Sequence, residues 1–587
     1  MKHRRFILLP ISLLVLSGCS LIDGPSIDVE EKTGSLYSLI NAGAEVKNIE
    51  TYKVKDFSYQ IIKNEDHVPY LTNTDYYLLM SSYLKKDGYK VSISDSVSSI
   101  TWKVTNPSNE AIFIAQISPR SKNVIISGDM SAALTTATDY SMSSLSLRSN
   151  MTSELLHRSY NYKMASYEYG YTTFSYNSKV YFPLSLLENI FTTYTGIYHL
   201  YNYNRFIQYT DYEEMDKVSY RVNEVTTSAF KEMKTYISYN FASMPLYLRK
   251  DRLNAFVYIM ENQYGLKETW KVKSMYDYLN TDGLLDKFLS EKDEERTEAY
   301  AKIFAFLNDP HTSIRDSINV PWKKGNYNSR GEKITQMVAL RSEISAQRDT
   351  KVKPGQAYFS TDEKLAYFSF DGFTFAMNAY QDDGVTLKSD LSFYDSPNYD
   401  TFFYFLRMFE EIKFRDTVKD VVIDISCNGG GTVGILMKLL ALLSKDNKGI
   451  LHLMESSLDI VQAQLCSVDS NNDGVYDTED VYGDDFNLYI LTSPYSFSCG
   501  NAFPFFAKQC EFAKIIGVKS GGGECAVYEA HLPSGERFYH SSNLHIGWYD
   551  EMKKEFIGDE PGVEVDIPVE YKDFYDVDTI QSIISAK

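Results

Sequence analysis

Cysteine and positive charge are both scarce in this chain, and each shortage argues against a class of protein. Its 59 Lys and Arg are outnumbered by 78 Asp and Glu, and the net charge of −19 argues against nucleic acid or an anionic lipid surface as a partner. After Cys19 the remaining cysteines all fall in the C-terminal third: Cys427, Cys466, Cys499, Cys510 and Cys525. This odd set has no zinc spacing and is not a disulfide-rich scaffold, so we expect buried free thiols, with one bridge as the alternative.

Long apolar runs are also missing beyond the first twenty residues, so no later segment has the length of a membrane span. The chain begins with Lys, His and Arg, continues through an apolar stretch and reaches Leu16-Ser17-Gly18-Cys19. This order is typical of a bacterial lipoprotein signal peptide over residues 1–19, with a plain secretory signal or an uncleaved anchor as the alternative. It predicts lipidation of Cys19, attachment to the extracytoplasmic face of a bacterial membrane, and a short tether over 20–35.

The pattern of apolar residues then divides the chain into three regions. Residues 36–215 carry short alternating runs broken by Asn, Ser, Gly and Asp, which predicts an N-terminal α+β accessory region. Its expected strands are Tyr52–Ile62, Lys90–Val104, Glu110–Ile117 and Asn123–Ile126. Residues 226–315 have helical periodicity, and the expected helices are Ala229–Ser238, Leu253–Tyr264, Ser274–Leu285 and Glu294–Leu307. Residues 360–587 alternate short apolar strands with helical segments, which predicts an α/β core of parallel βαβ units; the expected strands include Val421–Ile425, Asn487–Thr492 and Lys514–Val518.

The strand Asn487–Thr492 runs into a polar turn, and Ser498 stands at the start of the helix that follows. A serine there lies beside free backbone N–H groups and the positive end of the helix dipole, which favour a developing negative charge. Serine acyl-transfer enzymes need that arrangement because their intermediate carries an oxyanion next to the nucleophile. The alternative is an ordinary N-cap, since Ser is a preferred capping residue.

A glycine run, Gly429-Gly430-Gly431, follows the strand Val421–Ile425 and precedes a helix that begins at Val433. Glycines between strand and helix let the backbone approach a ligand and present bare N–H groups. The run is therefore a candidate for one half of an oxyanion hole, and the N–H of Cys499 for the other half. A tight βα turn or a phosphate-binding loop is the alternative, but no Gly-Lys-Ser/Thr follows to support nucleotide binding.

Six motifs of this chain, taken in order, resemble peptidase family S41, the C-terminal-processing and tricorn-core serine peptidases. They are Leu307–Thr312, Leu365–Phe373, Val422–Gly431, Ser496–Asn501, Ile516–Gly522 and Gly562–Asp566. The resemblance covers the chain from about residue 228 to its end. It implies a crotonase/ClpP-like α/β core that hydrolyses protein or peptide substrates without a cofactor. Within that core it implies Ser498 as the nucleophile, with the N–H groups of Gly430 and Cys499 as the oxyanion hole.

The resemblance also implies which residue accepts the nucleophile's proton. The processing branch of the family uses a Lys, whose position is Gly523 in this chain. The branch that lacks this Lys uses a His in the segment that matches 309–312, which implies His311 as the general base. An imidazole is suited to that role because its usual pKa is close to neutral. The carboxylate that orients the base would be Asp559 or its neighbour Glu560, and Asp559 aligns better.

Departures from the family pattern leave two rival interpretations. Gly523 in place of Lys, Pro310 before the His and Asn501 in place of an acid are compatible with a catalytically inactive relative that binds peptides. A solute-binding lipoprotein is the second rival. It would share the lipoprotein signal and the acidic composition but would not need Ser498.

Residues 469–480 match an EF-hand-type calcium loop, with Gly474 at its sharp turn. The candidate ligands are Asp469, Asn471, Asp473, Val475, Asp477 and Asp480. The pattern predicts a structural Ca²⁺ that takes no part in catalysis, with a solvated acidic turn as the alternative.

Overall fold

The computed structural model of the chain describes residues 39–48, 54–62, 68–81, 88–96, 98–128, 133, 148–158, 165–166, 170–195, 197–202, 205–210, 244–314, 331–375, 400–456 and 460–587. The predicted signal peptide, Cys19 and the tether lie outside the described residues, as does the predicted helix Ala229–Ser238. Within those ranges no helix is long and apolar enough to cross a membrane.

Two sheets and two helices make up most of the described part of the N-terminal region. Its elements are β1 (Leu39–Asn48), β2 (Val54–Ile62), β3 (Tyr70–Leu71), α1 (Asn73–Met80), β4 (Lys90–Asp95), β5 (Ile100–Thr105), β6 (Ala111–Ser118), β7 (Asn123–Gly128), β8 (Ser149–Arg158), β9 (Ala165–Ser166), β10 (Phe174–Tyr176), β11 (Lys179–Pro183), α2 (Leu184–Thr195), β12 (Ile197–Asn202) and β13 (Arg205–Thr210). One sheet has the order β10-β11-β3-β2-β1-β13-β12 and the other β4-β5-β6-β7-β9. A core around Trp102, Phe113 and Phe191 joins them. The α+β prediction is confirmed, but the predicted strand Lys90–Val104 is a hairpin of two strands.

A helical region follows, with α3 (Leu246–Asn262), α4 (Met275–Leu279), α5 (Leu284–Phe288) and α6 (Asp293–Leu307). The predicted helix Ser274–Leu285 is broken into α4 and α5, because Asp282 and Gly283 adopt left-handed backbone angles between them. Helix α6 ends at Asn308, whose φ of 49° turns the chain sharply. The segment with His311 begins directly after this turn, so α6 fixes where that segment starts.

The C-terminal half is built around a six-stranded sheet with the order β15-β16-β17-β20-β21-β25. The elements of this half are β14 (Ser313–Ile314), α7 (Glu332–Lys351), β15 (Tyr358–Phe359), β16 (Leu365–Ser369), α8 (Thr401–Lys413), β17 (Asp420–Asp424), α9 (Val433–Leu443), β18 (Gly449–Glu455), β19 (Ile460–Val468), β20 (Asn487–Thr492), α10 (Cys499–Gln509), β21 (Ala513–Gly517), β22 (Cys525–His531), β23 (Arg537–Asp550), β24 (Glu555–Gly558), β25 (Ile567–Pro568) and α11 (Val577–Ser585). From β16 to β25 all neighbouring strands are parallel. The predicted α/β core is therefore confirmed.

Both faces of this parallel sheet are buried, as expected when helices cover each side. Val421 and Ile423 of β17 pack with apolar residues of α8, α9 and α10. Val422, which points to the opposite face, packs with Ile344 of α7 and Ile580 of α11. Strand β17 is thus a nearly continuous apolar run, the feature that made it recognisable in the sequence.

A second, antiparallel sheet in this half was not predicted. Its path is β14-β23-β18-β19-β8, and β22 and β24 also pair with the long strand β23. Strand β8 comes from the predicted accessory region, yet it pairs with β19 along its whole length. Through β8, the N-terminal region supplies an edge strand to a sheet of the C-terminal half.

All five cysteines in the described ranges are free thiols. Burial raises the pKa of Cys427, Cys466 and Cys499 to about 12. These thiols stay protonated at neutral pH, and a protonated thiol is a poor nucleophile. Burial therefore disfavours the Cys499 thiol as an alternative nucleophile beside Ser498.

Candidate active site

The candidate site lies where the parallel neighbours β17 and β20 both end. The carboxyl ends of parallel strands meet at one edge of a sheet, so loops 425–432 and 493–498 lie side by side. Hydrogen bonds join them: Ser493 Oγ donates to the Ser426 carbonyl at 2.6 Å, Ser496 Oγ to the Ile425 carbonyl at 2.8 Å, and the Phe497 N–H to the Asn428 carbonyl at 3.2 Å. The glycine run and the serine turn form one hydrogen-bonded unit.

Ser498 has a strained backbone, with φ 58° and ψ −126°. Non-glycine residues rarely adopt a positive φ, which costs on the order of 1–3 kcal/mol and is often found at functional sites. The surrounding chain imposes the strain: the Ser498 N–H donates to the Gly522 carbonyl at 2.9 Å, and the Ser498 carbonyl accepts from the N–H groups of Asn501 and Ala502, each at 2.8 Å. Its side chain caps no N–H group of α10. Ser498 is therefore not an ordinary N-cap, and it stands in a strained conformation on a sharp strand-to-helix turn.

The glycine run lies directly against Ser498. A Cβ atom added to Gly430, whose φ is 106°, would lie 2.7 Å from Ser498 Cβ and 3.0 Å from Ser498 Oγ. The Cys499 thiol donates to the Gly431 carbonyl at 3.1 Å and holds the start of α10 against the run. As the first amide of α10, the Cys499 N–H has no acceptor within the helix. The Gly430 N–H already donates to Asn428 Oδ1 at 2.9 Å. To donate to an oxyanion as predicted, this N–H must either leave Asn428 or donate to both acceptors at once.

A buried carboxylate shapes the turn that carries His311. Asp309 Oδ1 accepts the His311 N–H at 3.0 Å, and Asp309 Oδ2 accepts the Thr312 hydroxyl at 2.6 Å and the Tyr264 hydroxyl at 3.3 Å. The Asp309 side chain is thus fully used in holding the backbone of the turn. This explains the acid in the motif without assigning it to the chemistry.

The His311 imidazole packs against Phe497, the residue before Ser498, with 4.7 Å between ring centroids. Its Nδ1 lies 3.3 Å from Ser541 Oγ, while Nε2 is buried without a hydrogen-bond partner. Burial lowers the pKa of His311 below its usual range; Asp309 acts in the opposite direction and Lys333 adds to the lowering. The ring is therefore neutral near pH 7 and can accept a proton at Nε2. No hydrogen bond joins it to Ser498 in this structure, which is common for catalytic pairs without substrate.

At position 523, where the resemblance to the processing branch would require a lysine, the Phe497 ring leaves no room for a side chain. Gly523 has a φ of +96°, and a Cβ atom added there would lie 2.5 Å from Phe497 Cζ. The nearby Lys519 pairs with Glu564 at 2.7 Å and is partly exposed. A different cation approaches instead: Lys333, from α7, lies 5.3 Å from the centroid of the Phe497 ring.

The two candidate carboxylates have different surroundings. Asp559 is buried, neither of its carboxyl oxygens has a hydrogen-bond partner, and burial together with Glu524 and Glu560 raises its pKa well above the usual range. Glu560 Oε2 accepts the N–H groups of Gly523 and Glu524 at 3.2 and 3.0 Å, and its Oε1 lies 3.8 Å from Lys333 Nζ. The structure therefore brings neither carboxylate into hydrogen-bond contact with His311. The predicted orienting role of Asp559 stays a prediction.

Four residues of this site were missed from the sequence: Asn428, Phe497, Lys333 and Ser541. Asn428 and Phe497 lie inside recognised motifs, so their position next to the predicted nucleophile and glycine run was an available signal. Lys333 and Ser541 reach the site from a helix and a strand far away in sequence, and no local pattern marks them.

The predicted calcium loop follows β19, and its last residues form a short 3₁₀ turn, Thr478–Asp480. Its acidic side chains accept backbone N–H groups: Asp469 accepts those of Asp473 and Gly474 at 3.1 and 3.0 Å, and Asp480 accepts that of Ser470 at 2.7 Å. Across the described parts of the chain, no three or more His, Cys, Asp or Glu residues are grouped so as to hold a metal ion. The calcium site stays a prediction without structural support, and thermal unfolding with and without Ca²⁺ tests it.

Comparisons with known proteins give a family match within the C-terminal region. The family model described as Peptidase family S41 matches residues 391–569. A search of curated proteins found no significant match. Among solved structures, the chain is similar to a putative peptidase from Parabacteroides merdae (17% identity, TM-score 0.38, covering 58% of this chain and 96% of that one). It is also similar to mature CPAF (13% identity, TM-score 0.34, 58% and 96%) and to the tricorn protease (10% identity, TM-score 0.29, 91% and 52%).

Proposed function

We propose that this chain, whose residues 391–569 match the model of peptidase family S41, is a serine endopeptidase whose general base is a histidine. Ser498 is the nucleophile and His311 accepts its proton. The N–H groups of Cys499 and Gly430 stabilise the oxyanion. The observation that carries the proposal is the strained backbone of Ser498, because an ordinary capping serine has no need of it.

The reaction follows from these positions. As Ser498 Oγ attacks the peptide carbonyl, its proton passes to His311 Nε2, the buried nitrogen that has no other partner. The carbonyl oxygen becomes an oxyanion beside the start of α10, where the amide dipoles stabilise it. His311 then returns the proton to the departing amine, and water hydrolyses the acyl-enzyme with His311 again acting as base. The imidazole must move into hydrogen-bond range of Ser498 when the substrate binds.

A fluorophosphonate probe and a peptide substrate test the nucleophile. We expect Ser498→Ala to abolish labelling and hydrolysis, while the exposed Ser585→Ala, on α11, leaves both unchanged. Labelling that persists at full rate in Ser498→Ala would rule out Ser498 as the nucleophile. Circular dichroism of each variant separates loss of chemistry from loss of fold.

His311→Ala tests the base. We expect the labelling rate to fall on the order of 10³-fold, because the serine hydroxyl loses its proton acceptor. His157→Ala is the matched control, since His157 lies on β8, away from Ser498. An unchanged rate in His311→Ala would exclude this base and would direct attention to Lys333, the cation over Phe497.

A peptide-binding protein without catalytic activity is the second candidate. Two observations favour it: His311 and Ser498 are not hydrogen-bonded, and the Gly430 N–H is already engaged by Asn428. Folded wild-type protein that binds peptides but neither hydrolyses them nor reacts with the probe would establish this candidate and refute the peptidase.

We also propose that the protein is lipid-anchored at Cys19 on the extracytoplasmic face of a bacterial membrane. The support is the sequence of residues 1–19 alone. Cells that express the full chain and are fed labelled palmitate should label it, and Cys19→Ser should remove the label and release the protein from the membrane fraction. Label that persists in Cys19→Ser would contradict the anchor.

A further inference from the structure

We propose that Ser541, on β23, is the residue that orients His311, so that a hydroxyl rather than a carboxylate positions the base. The inference rests on the proposed function, since it concerns the base of that reaction. Ser541 is fully buried, and its Oγ lies 3.3 Å from His311 Nδ1. In this role Ser541 is a positioning residue and does not contact substrate.

Strand register brings the two residues together. Ser313 and Ile314 of β14 pair with Tyr539 and Phe538 of β23 in antiparallel register. Continuing that register two residues back along β14 places His311 opposite Ser541. Because side chains alternate between the two faces of a strand, a slip of one residue would put the neighbouring side chain opposite His311.

The support beneath Ser541 is rigid. Strand β23 has 14 residues and pairs with β14, β22, β18 and β24. The Ser541 carbonyl also accepts the Gly265 N–H at 3.0 Å, which ties β23 to the turn after α3. A group held in this way can fix a ring within the narrow tolerance that catalysis requires.

The hydrogen bond is compatible with the form of the imidazole that the reaction needs. When Nδ1–H donates to Ser541 Oγ, the lone pair lies on Nε2, the nitrogen that must accept the proton of Ser498. After proton transfer both ring nitrogens carry hydrogen, and Ser541 Oγ continues to accept from Nδ1. A carboxylate would stabilise this imidazolium more strongly than a neutral hydroxyl does. Asp559, the sequence-based candidate for that role, makes no side-chain hydrogen bond here.

Among the described residues, Asp309 and Lys333 are the charged groups that act on the ring. Asp309, in the same turn, faces it and favours its protonated form, whereas Lys333 of α7 opposes that form. Glu560 lies 3.8 Å from Lys333 Nζ and moderates the effect of that cation. From β23 the group that reaches the ring is the neutral hydroxyl of Ser541.

Kinetics of the intact mature protein across pH test the proposal. We expect Ser541→Ala to lower kcat by roughly 10- to 100-fold with little change in KM, as is found when a supporting hydrogen bond is removed from a functional histidine. The acid limb of its pH profile should move to lower pH, because the imidazolium loses an acceptor. Ser541→Thr, which retains the hydroxyl, should recover most of kcat, and Ser541→Asp should move the acid limb to higher pH.

Ser542→Ala is the matched control, since Ser542 is equally buried and its Oγ donates to the Ala526 carbonyl at 2.8 Å rather than to His311. The proposal is overturned if Ser541→Ala behaves like Ser542→Ala, or if Asp559→Asn reproduces both the loss of kcat and the shift of the acid limb. NMR of the His311 ring nitrogens gives a readout that needs no turnover: the wild type should carry hydrogen on Nδ1, and Ser541→Ala should lose this preference. An inactive wild type that retains the Nδ1 form would refute the proposed function but not the contact.

Discussion

The proposed nucleophile and the proposed base of this site are held by two sheets of different construction. Ser498 and the glycine run sit at the ends of parallel strands, where each functional residue follows its own strand within a few positions. His311 and Ser541 are brought together by β14 and β23, which are distant in sequence and pair antiparallel. The first half of the site is therefore encoded locally, whereas the second depends on long-range strand register.

In the locally encoded half of the site, one added methyl group should be enough to abolish most of the activity. Gly430→Ala places a Cβ atom 2.7 Å from Ser498 Cβ, in a backbone conformation that L side chains rarely adopt. We expect peptide hydrolysis to fall more than about 100-fold, since small displacements at a catalytic centre have effects of that size. Gly283→Ala is the control, because Gly283 also has a positive φ of 66° but nothing lies within 4 Å of an added Cβ. Equal losses of activity in both variants would show that stability, not contact with Ser498, is responsible.

The long-range half should instead respond to changes far from the chemistry. Strand β8 forms the edge of the sheet that carries β23, and adjacent residues on an edge strand alternate between donating to the neighbour and facing outward. Thr152 and Ser153 both have exposed side chains and pair with Leu465 and Gln464. The backbone N–H of one of these two residues donates to β19, and that of the other faces outward. A proline at the donating residue should lower the free energy of unfolding by on the order of 1–3 kcal/mol more than a proline at the outward-facing residue. Urea unfolding and the temperature of half-inactivation measure the difference, and equal effects would separate β8 from the stability of the catalytic half.

The pH dependence of stability tests whether the buried Asp559 is an unpaired acid or serves the proposed base. Burial and two neighbouring carboxylates raise its pKa, so the folded protein keeps a proton that the unfolded chain has already lost. Between the ordinary Asp pKa and the raised one, the folded state binds more protons, and stability therefore falls as pH rises through that window.

Asp559→Asn should remove this dependence. Relative to wild type, the variant should gain stability from pH 4 to pH 8, by on the order of 1–3 kcal/mol, as expected for a buried unpaired group. Urea unfolding at the two pH values measures this gain, and the exposed Asp416→Asn should show none. A loss of stability in Asp559→Asn at pH 8 would mean that the ionised carboxylate has a partner and serves the base after all.

The same contrast explains how far the sequence could be interpreted. Strands β17, β20 and β21 lie within one residue of their predicted bounds, because strands buried on both faces are continuous apolar runs followed by a change of composition. Ser498, Gly430 and His311 were found through motifs in which the residue and its strand or turn are adjacent. Strand β23 mixes His, Ser, Asn and Tyr with apolar residues, so its pattern does not predict a central strand, and its partner β14 lies far upstream in the sequence. The contact between His311 and Ser541 follows from that register, which no local pattern contains.

The smallest expected effect concerns the two lysines nearest the site. Lys519→Ala should change kcat/KM by less than about twofold, because Lys519 is partly exposed, pairs with Glu564 at 2.7 Å and makes only a surface ion pair. Lys333→Ala is the informative comparison, since Lys333 lies over Phe497 and its charge opposes protonation of His311. Removing that charge raises the pKa of His311, so the acid limb of the pH profile should move to higher pH, and added salt should shrink the shift. If Lys519→Ala moves the acid limb and Lys333→Ala does not, the charge that acts on His311 comes from the parallel sheet. That result would contradict the proposed separation of a locally encoded nucleophile from a base positioned by long-range contacts.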